Sequence, residues 1–278
     1  MEERKGETRP ATSRPTSSQE VEPQNPTWAP WQGPTNLGLE HRALRAVVIL
    51  SGGLDSTTCM AIADHEGYEL YPITFSYGQK HAVELESAKQ VAAHYRVGDR
   101  HRVVDLGNFI RGSSLTDPDQ SIPVGRSLEE IGTGVPSTYV PGRNTVFLSL
   151  ALSFAERIDA QAIFIGVNAL DYSGYPDCRP EFLQAFQRVI DTGTVAGTEG
   201  AGIRLKAPLV HLTKAEIIRR GSQLGAPYAL THSCYQGTVP ACGVCDSCRI
   251  RIQGFREAGL VDPIPYAVPI AWQSDRPN

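Results

Sequence analysis

The chain has 278 residues, 41% of them hydrophobic, with 26 basic and 30 acidic side chains and a formal net charge of −4. That is enough apolar material for one large α/β domain or two smaller ones, and the near balance of charge argues against a protein that coats nucleic acid. No stretch of ~18 apolar residues occurs and the N-terminus lacks the apolar core of a signal peptide, so neither a membrane span nor export is expected, and the location expected is cytoplasmic.

Residues 1–40 hold Pro10, Pro15, Pro23, Pro26, Pro30 and Pro34 among Ser, Thr, Gln and Glu, with no helix or strand period. They are expected to form a disordered extension. The apolar run 45–50 reads as the first strand and feeds Ser51-Gly52-Gly53-Leu54-Asp55-Ser56, a glycine turn that opens a helix over 55–65. A strand–turn–helix of this kind aims backbone N–H groups at one point, which suits a phosphate. It departs from the common P-loop because no lysine follows the glycines. Ser-Gly-Gly alone is an ordinary turn; the completed run through Thr57 and Thr58 is what gives it weight.

The second strand is expected over 70–77, then a helix in which Leu85, Ala88, Ala92 and Tyr95 recur at helical spacing. A third strand spans 101–106. Residues 107–142, rich in glycine and proline, are too long for an idle loop and are expected to carry substrate contacts or a lid. Phe147, Ala151, Phe154 and Ile158 mark a helix, 162–167 a fourth strand, 180–190 a helix with Phe182, Phe186 and Val189 aligned, and 203–210 a fifth strand. Thr213-Lys214-Ala215-Glu216 is a capping-box sequence that starts a last helix ending near Gly225. Strands alternating with helices predict an α/β fold with a doubly wound, Rossmann-like parallel five-stranded sheet. Ligands in such sheets sit at the carboxyl ends of the strands, near the switch in strand order.

Cys234, Cys242, Cys245 and Cys248 fall within fifteen residues. Four thiolates close a tetrahedral shell, so a structural zinc stapling a small, loop-rich C-terminal region is expected. A redox dithiol and an iron–sulfur cluster are the rivals. Cys59 reads as a buried helix residue, while Cys178 sits in a polar loop.

Five segments in one order carry a resemblance: 51–58, Phe75-Ser76-Tyr77-Gly78-Gln79-Lys80-His81, Val140-Pro141-Gly142-Arg143-Asn144, the run from Asp171 through Tyr172, Tyr175, Asp177 and Arg179 to Phe182, and the four cysteines. The glycine loop looks like that of the ATP pyrophosphatases, and together the segments closely resemble the 7-cyano-7-deazaguanine synthase family of queuosine biosynthesis over roughly residues 45–266. The 1–40 extension departs from the family pattern.

The resemblance implies an adenine nucleotide alpha hydrolase type of fold, so that three parts are expected: the extension (1–40), which composition alone marks off, a nucleotide-binding domain (41–230) and a zinc-binding region (231–278). It implies a carbon–nitrogen ligase that converts 7-carboxy-7-deazaguanine and ammonia to the nitrile with two ATP and Mg²⁺, through an adenylated carboxylate and an adenylated amide. It also implies a homodimer working on small molecules, without a stable nucleic-acid partner. ATP contacts are then expected along Leu50, Ser51, Gly52, Gly53, Leu54, Asp55, Ser56, Thr57, Thr58, Cys59 and Met60, with Asp55 either near Mg²⁺ or capping the helix. Lys80, His81, Arg143 and Arg179 are the catalytic candidates: Lys80 toward the α-phosphate or the substrate carboxylate, Arg143 toward phosphate, Arg179 toward the substrate carboxylate, and His81 as a proton acceptor or merely a packed histidine. Phe75, Tyr77, Gln79, Asn144, Asp171, Tyr172, Tyr175, Asp177 and Glu181 are the substrate candidates, through aromatic faces and acceptors for the base edge. Asn144 alternatively caps its helix.

Other members of the class are the nearest alternatives: a relative that amidates or thiolates a different carboxylate or a tRNA base. A glutamine-dependent enzyme would need a glutaminase domain, for which the chain has no room. A zinc module that binds nucleic acid is the non-enzymatic alternative, disfavoured by the acidic net charge.

Overall fold

A computed structural model of the chain describes residues 43–79, 83–107, 109–131, 134–169, 175–200 and 202–272. The 1–40 extension, with Trp28 and Trp31, lies outside them. In chain order the elements are β1 (Arg45–Ile49), α1 (Leu54–His65), β2 (Glu69–Ser76), α2 (Val83–His94), β3 (Arg102–Asp105), α3 (Leu128–Ile131), α4 (Arg143–Arg157), β4 (Ala162–Phe164), α5 (Pro180–Gly193), α6 (Val195–Thr198), β5 (Arg204–Lys206), α7 (Lys214–Gln223) and α8 (Asp246–Ala258).

The five strands form one parallel sheet in the order β3-β2-β1-β4-β5. Alternation along β1 shows why both faces are covered. Val47 and Ile49 join an apolar cluster with Phe147, Leu148 and Ala151 of α4 and Leu183, Phe186 and Ile190 of α5. Ala46 and Val48 join a second cluster with Met60 and Ile62 of α1, Ala88 and Val91 of α2, Ile217 and Ile218 of α7, and Phe255 of α8. A strand buried on both faces reads as a continuous apolar run, as 46–50 does. The strand order reverses between β1 and β4, so the crevice lies above their carboxyl ends.

Three expectations change, and the anchoring of the 107–142 segment becomes visible. The fourth and fifth strands, expected over 162–167 and 203–210, are Ala162–Phe164 and Arg204–Lys206. After Phe164 the chain comes against the start of α1: a Cβ on Gly166 would stand 3.0 Å from the Asp55 carbonyl carbon and the Ser56 nitrogen. After Lys206, Pro208 has no N–H to extend a ladder. On α5 the buried stripe is Leu183, Phe186 and Ile190, while Val189 is exposed. The 107–142 segment is fastened to the cysteine region, through a bridge from Val124 to Cys245, a Gly125 N–H donated to the Val244 carbonyl at 3.0 Å, and an Arg126–Asp246 ion pair. The C-terminal region is not only loop: α8 packs on α7, with Cys248, Ile252 and Phe255 buried at helical spacing.

Among the described residues no helix is long and apolar enough to cross a membrane.

Candidate active site

The crevice holds a cavity of about 210 Å³. Ile49 at the end of β1, Leu50 after it, and Ile165, Gly166 and Val167 after β4, line it beside Ser51, Gly53, Leu54, Asp55 and Ser56. Backbone geometry and serine hydroxyls shape that loop. Gly52 takes φ +87°, and a Cβ there would meet the Glu84 carbonyl and stand 2.6 Å from the Ala88 nitrogen, so the loop lies directly on the first turns of α2. The Ser51 amide donates to Ser56 Oγ at 3.1 Å, the Gly53 amide to Ser51 Oγ at 3.2 Å, and Ser56 Oγ to the Gly53 carbonyl at 3.1 Å. Gly53 is the N-cap of α1, whose first amides have no partner within the helix. That end of a twelve-residue helix is favourable for an anion.

The positive charge missing from the loop comes from elsewhere in the chain. Lys214, the first residue of α7, places Nζ 2.6 and 2.8 Å from the two Asp55 oxygens, with its side chain only 9% exposed. The sequence reading saw in Thr213-Lys214-Ala215-Glu216 only a cap. The cap is present, with Thr213 and Glu216 bonded reciprocally, and by fixing the first turn of α7 it also aims Lys214 at the loop.

The other wall is aromatic. Phe75 and Phe147 stack at 4.2 Å and 10°, Tyr77 tilts against Phe147 at 5.4 Å, and the Arg143 guanidinium lies 6.0 Å from the Phe147 ring. Arg143 Nη1 donates to Tyr77 Oη at 3.5 Å. Gln79 closes the end of β2, accepting from the Tyr77 amide at 2.8 Å and donating to the Phe75 carbonyl at 3.3 Å. Tyr175 meets Thr138 Oγ1 at 2.7 Å. Burial pushes the phenols of Tyr77 and Tyr175 up, and pushes the Cys178 thiol up to about 12 despite Arg143 nearby.

The fold brings Leu50, Ser51, Gly53, Leu54, Asp55, Ser56, Phe75, Tyr77, Gln79, Arg143, Asn144 and Tyr175 together around the cavity. Other candidates lie apart from its lining. Thr58 Oγ1 donates to the Leu54 carbonyl at 2.9 Å and meets Tyr228 Oη at 2.8 Å, while Thr57, Cys59 and Met60 have no exposed surface and sit inside α1's packing. Gly52 offers its carbonyl to the His232 amide at 2.9 Å. Asp177 caps α4 from outside, its Oδ2 accepting from the Asn144 amide at 3.0 Å, and Asn144 Nδ2 returns a bond to the Asp177 carbonyl at 3.0 Å. Arg179 and Glu181 are exposed at the start of α5. Lys80, His81, Asp171 and Tyr172 lie outside the described residues. Besides Lys214, sequence reasoning missed Ser233, Tyr235, Ser247 and Arg251, which reach the cavity from the cysteine region. No local pattern signals them, because only the packing of α8 against α7 brings them there.

The four sulfurs of Cys234, Cys242, Cys245 and Cys248 all lie within 4.8 Å of one another, and those of Cys242 and Cys248 are 3.9 Å apart. A tetrahedron with metal–sulfur bonds of ~2.3 Å has edges of ~3.8 Å, so the set fits a metal ion. Amides of Cys242 and Cys245 donate to Cys234 and Cys242 sulfurs at 3.3 Å, which favours thiolates. The cluster is wired to the loop. Arg251, buried in α8, holds Asp262 at 2.6 and 2.9 Å and donates to Thr231 Oγ1 at 2.8 Å and Ser233 Oγ at 3.3 Å. Ser233 Oγ in turn accepts from the Leu54 amide at 3.5 Å.

The family model for the queuosine biosynthesis protein QueC matches residues 45–259. A 7-cyano-7-deazaguanine synthase from Acetivibrio thermocellus is 54% identical over 222 residues, covering 80% of this chain and 97% of that protein. The synthases so named from Oceanobacillus iheyensis and Geobacter metallireducens are each 56% identical, over 225 and 226 residues, covering 80% of this chain and 98% and 93% of theirs. With its glycine loop, aromatic wall and cysteine cluster inside the matched span, the chain belongs to the QueC family of queuosine biosynthesis proteins.

Proposed function

We propose that this chain is an ATP-dependent 7-cyano-7-deazaguanine synthase. One observation carries the reading: identity of 54–56% to proteins of that name over nearly their whole length. The chemistry fits the crevice. ATP adenylates the substrate carboxylate and releases pyrophosphate; ammonia displaces AMP to give the amide; a second ATP adenylates the amide oxygen, and loss of AMP leaves the nitrile. Both carboxylate oxygens depart on AMP, so the protein has mainly to position reactants, balance phosphate charge and exclude water.

In this reading Ser51, Gly53, Ser56 and the first amides of α1 hold the pyrophosphate end of ATP, and Lys214 supplies the cation that a P-loop carries within its own loop. Mg²⁺ arrives with ATP; Lys214 takes one lone pair on each Asp55 oxygen, and a carboxylate has a second on each for the ion or its water. Phe75, Tyr77 and Tyr175 offer faces and phenols to the flat bases. The four cysteines hold one structural zinc, at the head of a region 231–278 that completes the cavity of the 41–230 body. The resemblance further supports a homodimer acting on small molecules in the cytoplasm, which light scattering of the purified protein tests for its first part.

The test is turnover. Purified protein is mixed with 7-carboxy-7-deazaguanine, ATP, Mg²⁺ and ammonium, and products are followed by mass. Two AMP per nitrile is the expected result. No consumption of the acid by folded, metal-loaded protein would overturn the substrate assignment and leave the related amidations and thiolations. Elemental analysis is expected to give one zinc per chain; iron with visible charge-transfer absorption would overturn that part.

A further inference from the structure

Three described cations line the cavity, and they differ in one respect. Lys214 holds Asp55 at 2.6 and 2.8 Å, and Arg251 holds Asp262 at 2.6 and 2.9 Å. Arg143 has no carboxylate partner among the described residues. It lies against the Tyr77 hydroxyl at 3.5 Å and the Phe147 ring at 6.0 Å. Tyr77, Tyr175 and Cys178 beside it are all shifted up by burial, so at neutral pH they are uncharged. Asp177, next in chain to Cys178, is committed to the Asn144 amide at the head of α4. Arg143 is half-buried at the cavity wall, so its guanidinium can be reached by an anion that enters, and pairing there is stronger than in open water.

Two anions enter this site in the proposed reaction, phosphate and the substrate carboxylate. The phosphate end already has the amides of α1 and Lys214, which reaches the loop from the α7 face of the sheet. Arg143 comes from the α4 face, at the foot of the Phe75–Phe147 stack, between the phenols of Tyr77 and Tyr175. Flat walls with a planar, forked cation at their edge fit a flat heteroaromatic ring that bears a carboxylate. Of the two sequence candidates for that task, Arg179 is exposed and outside the lining, and Lys80 lies outside the described residues.

We propose that Arg143 is the residue that binds the substrate carboxylate, and that it thereby separates the two half-reactions by charge. The inference rests on the synthase reading. The acid enters as an anion and pairs with the guanidinium. The amide is neutral and offers only a carbonyl oxygen, so it is held chiefly by the aromatic walls.

Calorimetric titration of the full chain with the acid, the amide and MgATP, for wild type and Arg143→Gln, tests this. The expected result is a loss of roughly 10- to 100-fold in affinity for the acid, with the amide and MgATP changed less than about threefold, within the reach of a neutral hydrogen bond. Equal losses for acid and amide would overturn it, because the residue would then shape the walls only. A loss confined to MgATP would overturn it in favour of a phosphate contact. Should Arg143→Gln not fold, Arg143→Lys is measured instead; keeping the charge without the fork, it is expected to weaken the acid more than the amide, and equal effects overturn the proposal. Wild-type protein that binds neither acid nor amide would instead remove the synthase reading, and this inference with it.

Discussion

The glycine loop and the cysteine region do the same geometric job by opposite means. Each turns the chain into a helix that ends at the cavity: Gly53 caps α1 and Cys245 caps α8. The loop is held by missing side chains. Gly52 lies on the backbone of α2, and Gly166 lies on the backbone of Asp55 and Ser56. The cysteine region is held by added groups: four sulfurs, the Arg126–Asp246 pair, and Arg251 with Asp262. The loop is therefore most sensitive to a side chain added at Gly52, and the cysteine region to the loss of a sulfur or of one member of its buried ion pair. Because Ser233 connects the two, damage to either is expected to reach the end of the cavity proposed for the nucleotide.

Removing the metal proposed for the four sulfurs is the largest break. Structural zinc sites carry on the order of 10 kcal/mol, so prolonged chelation is expected to melt α8 from α7 and abolish ATP binding together. Calorimetric unfolding with and without chelator reads this; unchanged melting at zero metal content would end the idea that the sulfurs hold the region. Asp262→Ala strands a buried guanidinium and is expected to lose about 3–5 kcal/mol in denaturant unfolding. Adding Arg251→Met should recover a large part of that loss, since a buried pair replaced on both sides is far less harmful than one broken. No recovery would mean that Arg251 matters through Thr231 and Ser233 instead. On the loop, Gly52→Ala combines a left-handed backbone with a backbone collision, and roughly 2–4 kcal/mol should be lost, with ATP affinity. Gly166→Ala meets tighter than ordinary contacts without the strained φ, so about 1–3 kcal/mol is expected, with a raised KM for ATP. A neutral Gly166→Ala would show that β4 does not press on α1. The smallest effect belongs to Thr213→Ala, about 1 kcal/mol from the lost cap, with a measurable weakening of ATP binding as the first turn of α7, and Lys214 with it, loosens.

Much of the site was legible in local pattern. The run 46–50 buries both faces of a strand, Ser51 to Ser56 forms the turn, and the four cysteines sit at ligand spacing, because each is set by residues within a few positions of one another. Strand ends were less legible. Where β4 stops depends on Gly166 meeting α1, a contact between residues about 110 positions apart, which no local period encodes. The roles of charged residues were the least legible. Asp177 and Arg179 stand two apart in one motif, yet one is buried as the cap of α4 and the other is exposed. Lys214 reads as the second residue of a capping box, yet its charge lies against Asp55, 159 positions away.

By itself, then, the sequence determined the parallel sheet, the anion-ready turn, the four-cysteine cluster that could hold a metal ion and the family. Short-range sterics and hydrophobic period act within a few residues and leave their mark there. Tertiary structure decided which cations are neutralised, which motif carboxylates only hold a helix in place, and that α8 forms a wall of the cavity. Those outcomes follow from burial and from pairing between distant residues, and neither exists until the two layers of helices have closed on the sheet.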